Sequence, residues 1–154
     1  MRTARNKTPV LYDGREDEIK IGKGVVLKDG DDVAIIACGV LVHEAMVAAE
    51  ELSKNGVNAA VIDMHTLKPL DTELIDKYSS KCGAILTAED HSIIGGLGGA
   101  VAEHIVSTNP VPMERIGVKD RFGESASSEE MLEMMELKSH HICIAAKKLV
   151  ARKS

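Results

Sequence analysis

The sequence predicts an α/β fold with a parallel-type sheet covered by helices on both faces. Two observations carry this. Residues 33–38 (VAIIAC), 58–64 (NAAVIDM) and 83–88 (GAILTA) are short, mainly apolar runs of the kind found in strands buried on both faces. Between them lie segments whose apolar residues recur at helical spacing.

In chain order, residues 1–18 are polar and irregular and read as an arm or linker, leaving 19–154 as the folded domain. Residues 19–27 hold Ile19, Ile21, Val25, Val26 and Leu27, interrupted by Gly22 and Gly24. Glycine weakens strand interiors, so this is a bent edge strand. Residues 28–32 (KDGDD) form a solvated turn. After the 33–38 strand, residues 42–54 make a helix whose inner side is Ala45, Met46, Ala48, Ala49 and Leu52, with Gly56 as a left-handed stop. The 58–64 strand leads to Asp71, the N-cap of a helix reaching about residue 80. A glycine-rich stretch, 95–99, follows the 83–88 strand and opens a helix to about 107, which Asn109-Pro110 ends. Residues 112–118 make a last strand, and helices at about 128–136 and 140–152 close the chain.

Composition excludes several functions. The net charge is −5 and only Tyr12, Tyr78 and Phe122 carry aromatic rings, which argues against nucleic acid. No apolar run approaches a membrane span, and MRTARNKTPV has no apolar stretch behind its basic residues, so neither a membrane protein nor a secretory leader is expected. A cytoplasmic location is the default. Cys38, Cys82 and Cys143 lack C-x-x-C spacing and read as reduced core thiols, not as a zinc site.

The glycine-rich segment is the first candidate site. Read as G-x-G-x-x-G from Gly96, its third glycine falls on Val101, and it follows the third buried strand, so a dinucleotide fingerprint is a poor fit. No Gly-Lys-Ser/Thr follows, which removes the P-loop. Two readings remain: small residues that let a helix start close to the sheet, or an anion site in which Gly96, Gly98 and Gly99 expose helix N–H groups, with Glu89 and His91 beside them. Glu89-Asp90-His91 falls where ligands gather in open α/β sheets, outside the carboxyl ends of strands. A carboxylate and an imidazole there suit acid–base work, or simply brace the glycine turn. Glu103 and His104 read as facing solvent or a partner. No metal site is predicted: the 28–32 turn lacks the EF-hand pattern, and side chains of neighbours such as His140 and His141 diverge by about 100° on a helix.

Taken in order, DVAIIACG (32–39) with Glu44-Ala45, VIDMHTLKPLD (61–71), Glu89-Asp90-His91, Gly95-Gly96-Leu97-Gly98 and IGVKDRFGES (116–125) resemble the C-terminal domain of transketolase. The 1-deoxyxylulose-5-phosphate synthases and the β subunits of 2-oxo acid dehydrogenases share the Lys-Pro-Leu-Asp segment and the glycine-rich helix start; the 120–125 ending is more like transketolase. The resemblance implies a three-layer α/β/α domain with a five-stranded mixed sheet, its first strand antiparallel at an edge. It implies a thiamine diphosphate-dependent transferase of the pentose phosphate pathway, moving a two-carbon ketol unit between sugar phosphates. Thiamine diphosphate, magnesium and the catalytic histidines would sit on preceding domains or a separate N-terminal subunit, within a homodimer. This chain would bind no cofactor, be inactive alone and begin at a domain junction. Residues 2–9 resemble the family segment in which an arginine after serine grips the substrate phosphate; Arg5 matches it, with Ala4 and Asn6 departing from the pattern. The alternative from another class is a stand-alone module that holds a small anion at the 89–99 turn.

Overall fold

The structure, a computed structural model, describes residues 7–153. Ten regular elements follow a short 3-10 turn at Glu16–Glu18: β1 (Val25–Lys28), β2 (Val33–Ala37), α1 (Leu41–Lys54), β3 (Ala59–Asp63), α2 (Thr72–Cys82), β4 (Ile85–Ser92), α3 (Leu97–Ser107), β5 (Met113–Val118), α4 (Ser128–Met134) and α5 (Ser139–Val150). The five strands form one sheet in the order β1-β3-β2-β4-β5. β1 pairs antiparallel with β3 at the edge, and the other pairs are parallel.

Burial on both faces follows from the strand sequences. Along β2, Val33, Ile35 and Ala37 enter a core with Leu41, Ala45, Ala48 and Leu52 of α1 and Ile142, Ala146 and Leu149 of α5. Ala34 and Ile36 point the other way, against Ile75 and Tyr78 of α2 and Leu97, Val101 and Ile105 of α3. The period-two alternation of a strand thus feeds two cores. The alanines of α1 are fully buried, which lets that helix lie close on the sheet.

Two element boundaries differ from expectation for local reasons. β1 starts at Val25, not residue 19, because Lys23 N–H bonds Lys20 C=O in a tight turn and Gly24 N–H is drawn to Asp71 Oδ2 at 3.0 Å. β4 runs past residue 88 to Ser92, because its pairing with β5 resumes at Ser92–Val118 after a register shift. Glu89, Asp90 and His91 therefore belong to the strand itself.

Other expectations match. Asp71 caps α2 by accepting from Leu74 N–H at 3.3 Å, and Gly56 takes a φ of 77° behind α1. The 28–32 turn is tied down as well as exposed. Asp29 accepts from the Tyr78 hydroxyl (2.8 Å) and Lys81 Nζ (2.6 Å), and these partners pull its carboxyl down to about 2. Gly30 lies against the β3 backbone: a Cβ there would sit 2.4 Å from the Ala59 carbonyl carbon and Ala60 nitrogen. The end of the arm is fastened too. Leu11 packs on the α1/α5 core, and the Tyr12 hydroxyl donates to buried Asp63 Oδ2 at 2.6 Å.

Candidate functional site

In this topology the chain leaves β2 toward β3 on one side and returns past it to β4 on the other. The carboxyl ends of β2 and β4 thus form the switch point where open α/β sheets place ligands. Gly39, with φ 61°, makes the turn out of β2; a Cβ there would come within 3.4 Å of the Asp90 carboxylate. From β4 come Glu89, Asp90 and His91, and above them the glycine turn opens α3.

Glu89 decides what this place can do. Its side chain is fully buried, and its two oxygens accept the Leu97 N–H (2.7 Å) and the Gly98 N–H (2.8 Å). The first N–H groups of a helix have no intrahelical partner and favour negative charge. Here the protein supplies that charge itself. His91 braces the arrangement, with Nε2 3.5 Å from Glu89 Oε2 and Nδ1 3.3 Å from Asp90 Oδ1. The glycines serve close approach. A Cβ on Gly96 would lie 2.0 Å from Glu89 Oε2, and one on Gly98 2.8 Å from Arg115 Cδ and 2.9 Å from Thr87 Oγ1, whereas one on Gly99 would point into open space. The reading of Glu89, His91, Gly96, Gly98 and Gly99 as a seat for an outside phosphate thus meets a carboxylate already bonded to the N–H groups of Leu97 and Gly98. For the same reason the α3 start does not fit the diphosphate of thiamine diphosphate: the incoming anion would face Glu89.

A second buried glutamate does the same work for α5. Glu44, on α1, accepts from the Ser139 N–H at 2.7 Å and from Lys138 Nζ at 3.3 Å. Lys138 also pairs with Glu129, and these carboxylates raise its pKa. Between this pair and the β4 end lies a cavity of ≈ 720 Å³, lined by Val40, His43, Glu44, Asp90, Val118 and Lys138 among others. Its walls mix acids, two lysines, a histidine and apolar side chains.

Asp63, at the end of β3, was not singled out by sequence. Burial raises its pKa, while the Tyr12 hydroxyl opposes the shift. Its Oδ1 and the His65 Nε2 are buried without a hydrogen-bond partner. His104 does not face solvent: its Nε2 lies 2.7 Å from Asp76 Oδ1 and ties α3 to α2. His140 and His141 do not diverge, their ring centroids being 3.9 Å apart beside Glu133. Cys38, Cys82 and Cys143 are buried in the core and are not joined to one another by disulfides, and burial pushes Cys82 up to about 11. Arg5 lies outside the described residues.

Residues 22–142 match the family model for the transketolase C-terminal domain. The chain belongs to the transketolase C-terminal domain family. A 6-deoxy-6-sulfo-D-fructose transketolase subunit of Clostridium sp. (strain MSTE9) is 43% identical over 145 residues, covering 94% of this chain and 45% of that protein. A putative transketolase C-terminal section of Methanocaldococcus jannaschii is 44% identical, covering 92% and 45%. The 1-deoxy-D-xylulose-5-phosphate synthase of Trichormus variabilis is 42% identical, covering 87% of this chain and 21% of that enzyme. Among solved structures, a split-gene transketolase described as an inactive beta4 tetramer superposes with a TM-score of 0.93 at 39% identity, covering 97% of this chain and 49% of the other. The chain thus spans about half the length of the transketolase subunits it matches. As a transketolase C-terminal domain, it has the α/β/α architecture and mixed sheet that the motifs implied. No helix among the described residues is long and apolar enough to cross a membrane.

Proposed function

We propose that this chain is the C-terminal part of a cytoplasmic, thiamine diphosphate-dependent transketolase that moves a two-carbon ketol unit between sugar phosphates. The observation that carries the reading is coverage: nearly the whole chain aligns with about half of proteins named as transketolase subunits or sections. The geometry supports a scaffold role, since the α3 start at the switch point, the position best suited to an anion, is closed by Glu89. Thiamine diphosphate and magnesium would be held by N-terminal domains or a separate subunit, with the complete enzyme a homodimer. The contribution of this chain to substrate would be Arg5, whose planar guanidinium donates two hydrogen bonds to a sugar phosphate.

The test is reconstitution. The purified chain is assayed for ketol transfer and thiamine diphosphate binding, alone and mixed with the N-terminal transketolase section of the same organism. Turnover is expected only in the mixture. Arg5→Ala in the mixture should raise KM for phosphorylated sugars by about 10- to 100-fold, the loss of a charge-assisted pair worth roughly 1.5–3 kcal/mol, with a smaller change in kcat. Turnover or cofactor binding by the isolated chain would overturn this division of labour.

A further inference from the structure

The corner between α4 and α5 gathers three metal-ligating side chains away from the switch point. Glu133 lies in the last turn of α4, and His140 and His141 in the first turn of α5. His140 Nε2 is 3.1 Å and His141 Nε2 is 3.8 Å from the same oxygen, Glu133 Oε1, and the candidate ligand atoms all fall within 4.8 Å of one another. Cβ directions on a helix keep neighbours apart, but each ring turns about two further bonds, and both Nε2 atoms come within 4 Å of Glu133 on α4.

A hydrogen-bond reading accounts for only part of this. At 3.1 Å, His140 bonds Glu133; at 3.8 Å, His141 does not. The other nitrogen of His141, Nδ1, is buried without a partner, so Nε2 is the nitrogen turned toward the carboxylate. A cation between the three groups would explain their convergence. With metal–nitrogen and metal–oxygen bonds of about 2.0–2.2 Å, two ligands of a tetrahedral ion stand roughly 3.3–3.6 Å apart. The two observed separations lie on either side of that value. The charge balance is mixed: Glu136 is nearby but is paired with Lys119.

We propose that Glu133, His140 and His141 bind a divalent first-row transition ion of the zinc class, with a water completing the coordination. Two imidazoles and one carboxylate select zinc, nickel or copper over magnesium or calcium, which require all-oxygen sets. The ion would pin the start of α5 to the end of α4.

Untagged protein, stripped with a chelator, is titrated with zinc chloride by calorimetry. One zinc per chain should bind, and the side-chain imidazole NMR signals of His140 and His141 should shift together. Glu133→Gln and His140→Ala, each checked for native circular dichroism, should weaken binding at least about tenfold. His104→Ala, on α3 across the sheet from α5, should leave it unchanged. Absence of saturable one-to-one binding, or binding that neither Glu133→Gln nor His140→Ala weakens, would overturn the site. So would imidazole shifts at other histidines only.

Discussion

Replacing Glu89 by alanine tests whether α3 is capped from within. The substitution leaves the N–H groups of Leu97 and Gly98 without their acceptor in a fully buried place. Each orphaned buried donor costs about 1–3 kcal/mol, and removing the charge from the helix start costs roughly 0.3–1 kcal/mol more. Against this stands the carboxylate's own desolvation, which deletion returns and which is worth several kcal/mol for an ion taken out of water. The donors are held in place by α3 and cannot turn to water, so the loss wins. We expect a net destabilisation of about 3 kcal/mol, or a fall in Tm of roughly 6–12 °C for a domain of this size. Urea denaturation followed by far-UV circular dichroism measures it. Formate, small enough to enter the vacated space, should restore part of the loss in Glu89→Ala and leave wild type unaffected, as linkage requires for a ligand that binds only the native state. A loss below about 1 kcal/mol would refute the internal cap. Stabilisation of wild type by millimolar phosphate, abolished by Gly98→Asp, would show instead that the helix start takes an outside anion.

Two further outcomes follow from buried groups and close approaches. Asp63 has a folded pKa above its ordinary value, so the native state holds its proton where the unfolded chain has released it. Its contribution to stability is therefore present below the usual carboxylate range and is lost as pH rises through the raised folded value. Asp63→Asn should flatten that fall in pH-dependent urea midpoints, and Tyr12→Phe, which removes the 2.6 Å donor, should cost about 1.5–3 kcal/mol above it. In the glycine turn, Gly99→Ala should stabilise by about 0.5–1 kcal/mol, because the position is helical and open, while Gly98→Ala should lose about 1–3 kcal/mol against Arg115 and Thr87. Equal effects at the two positions, read by thermal melts, would contradict the packing described.

The buried strands and their helices were legible because their signals are local. The run Val33–Ala37 is apolar at every position, and all five residues are buried. Asp71 and Gly56 carry their cap and stop chemistry in their own side chains or lack of one. What was not legible depends on the fold bringing distant residues together. Tyr12 meets Asp63, Asp29 meets Tyr78 and Lys81, and His104 meets Asp76 only because strands and helices from separate parts of the chain pack side by side. The extension of β4 to Ser92 has the same origin, since it rests on pairing with β5 and not on the polar Glu89-Asp90-His91 sequence.

The glycine turn shows why motif reading stops short of function. Gly95 to Gly99 is compatible with a helix start open to phosphate and with one pressed close to the sheet, because both need small residues and exposed N–H groups. The deciding residue is Glu89, eight positions before the N–H it caps and carried there by a strand. Glu44 repeats the device at α5 from ninety-five residues away. In both cases a buried carboxylate on one element accepts from the start of a helix on another, Glu89 tying α3 to the sheet end and Glu44 tying α5 to α1.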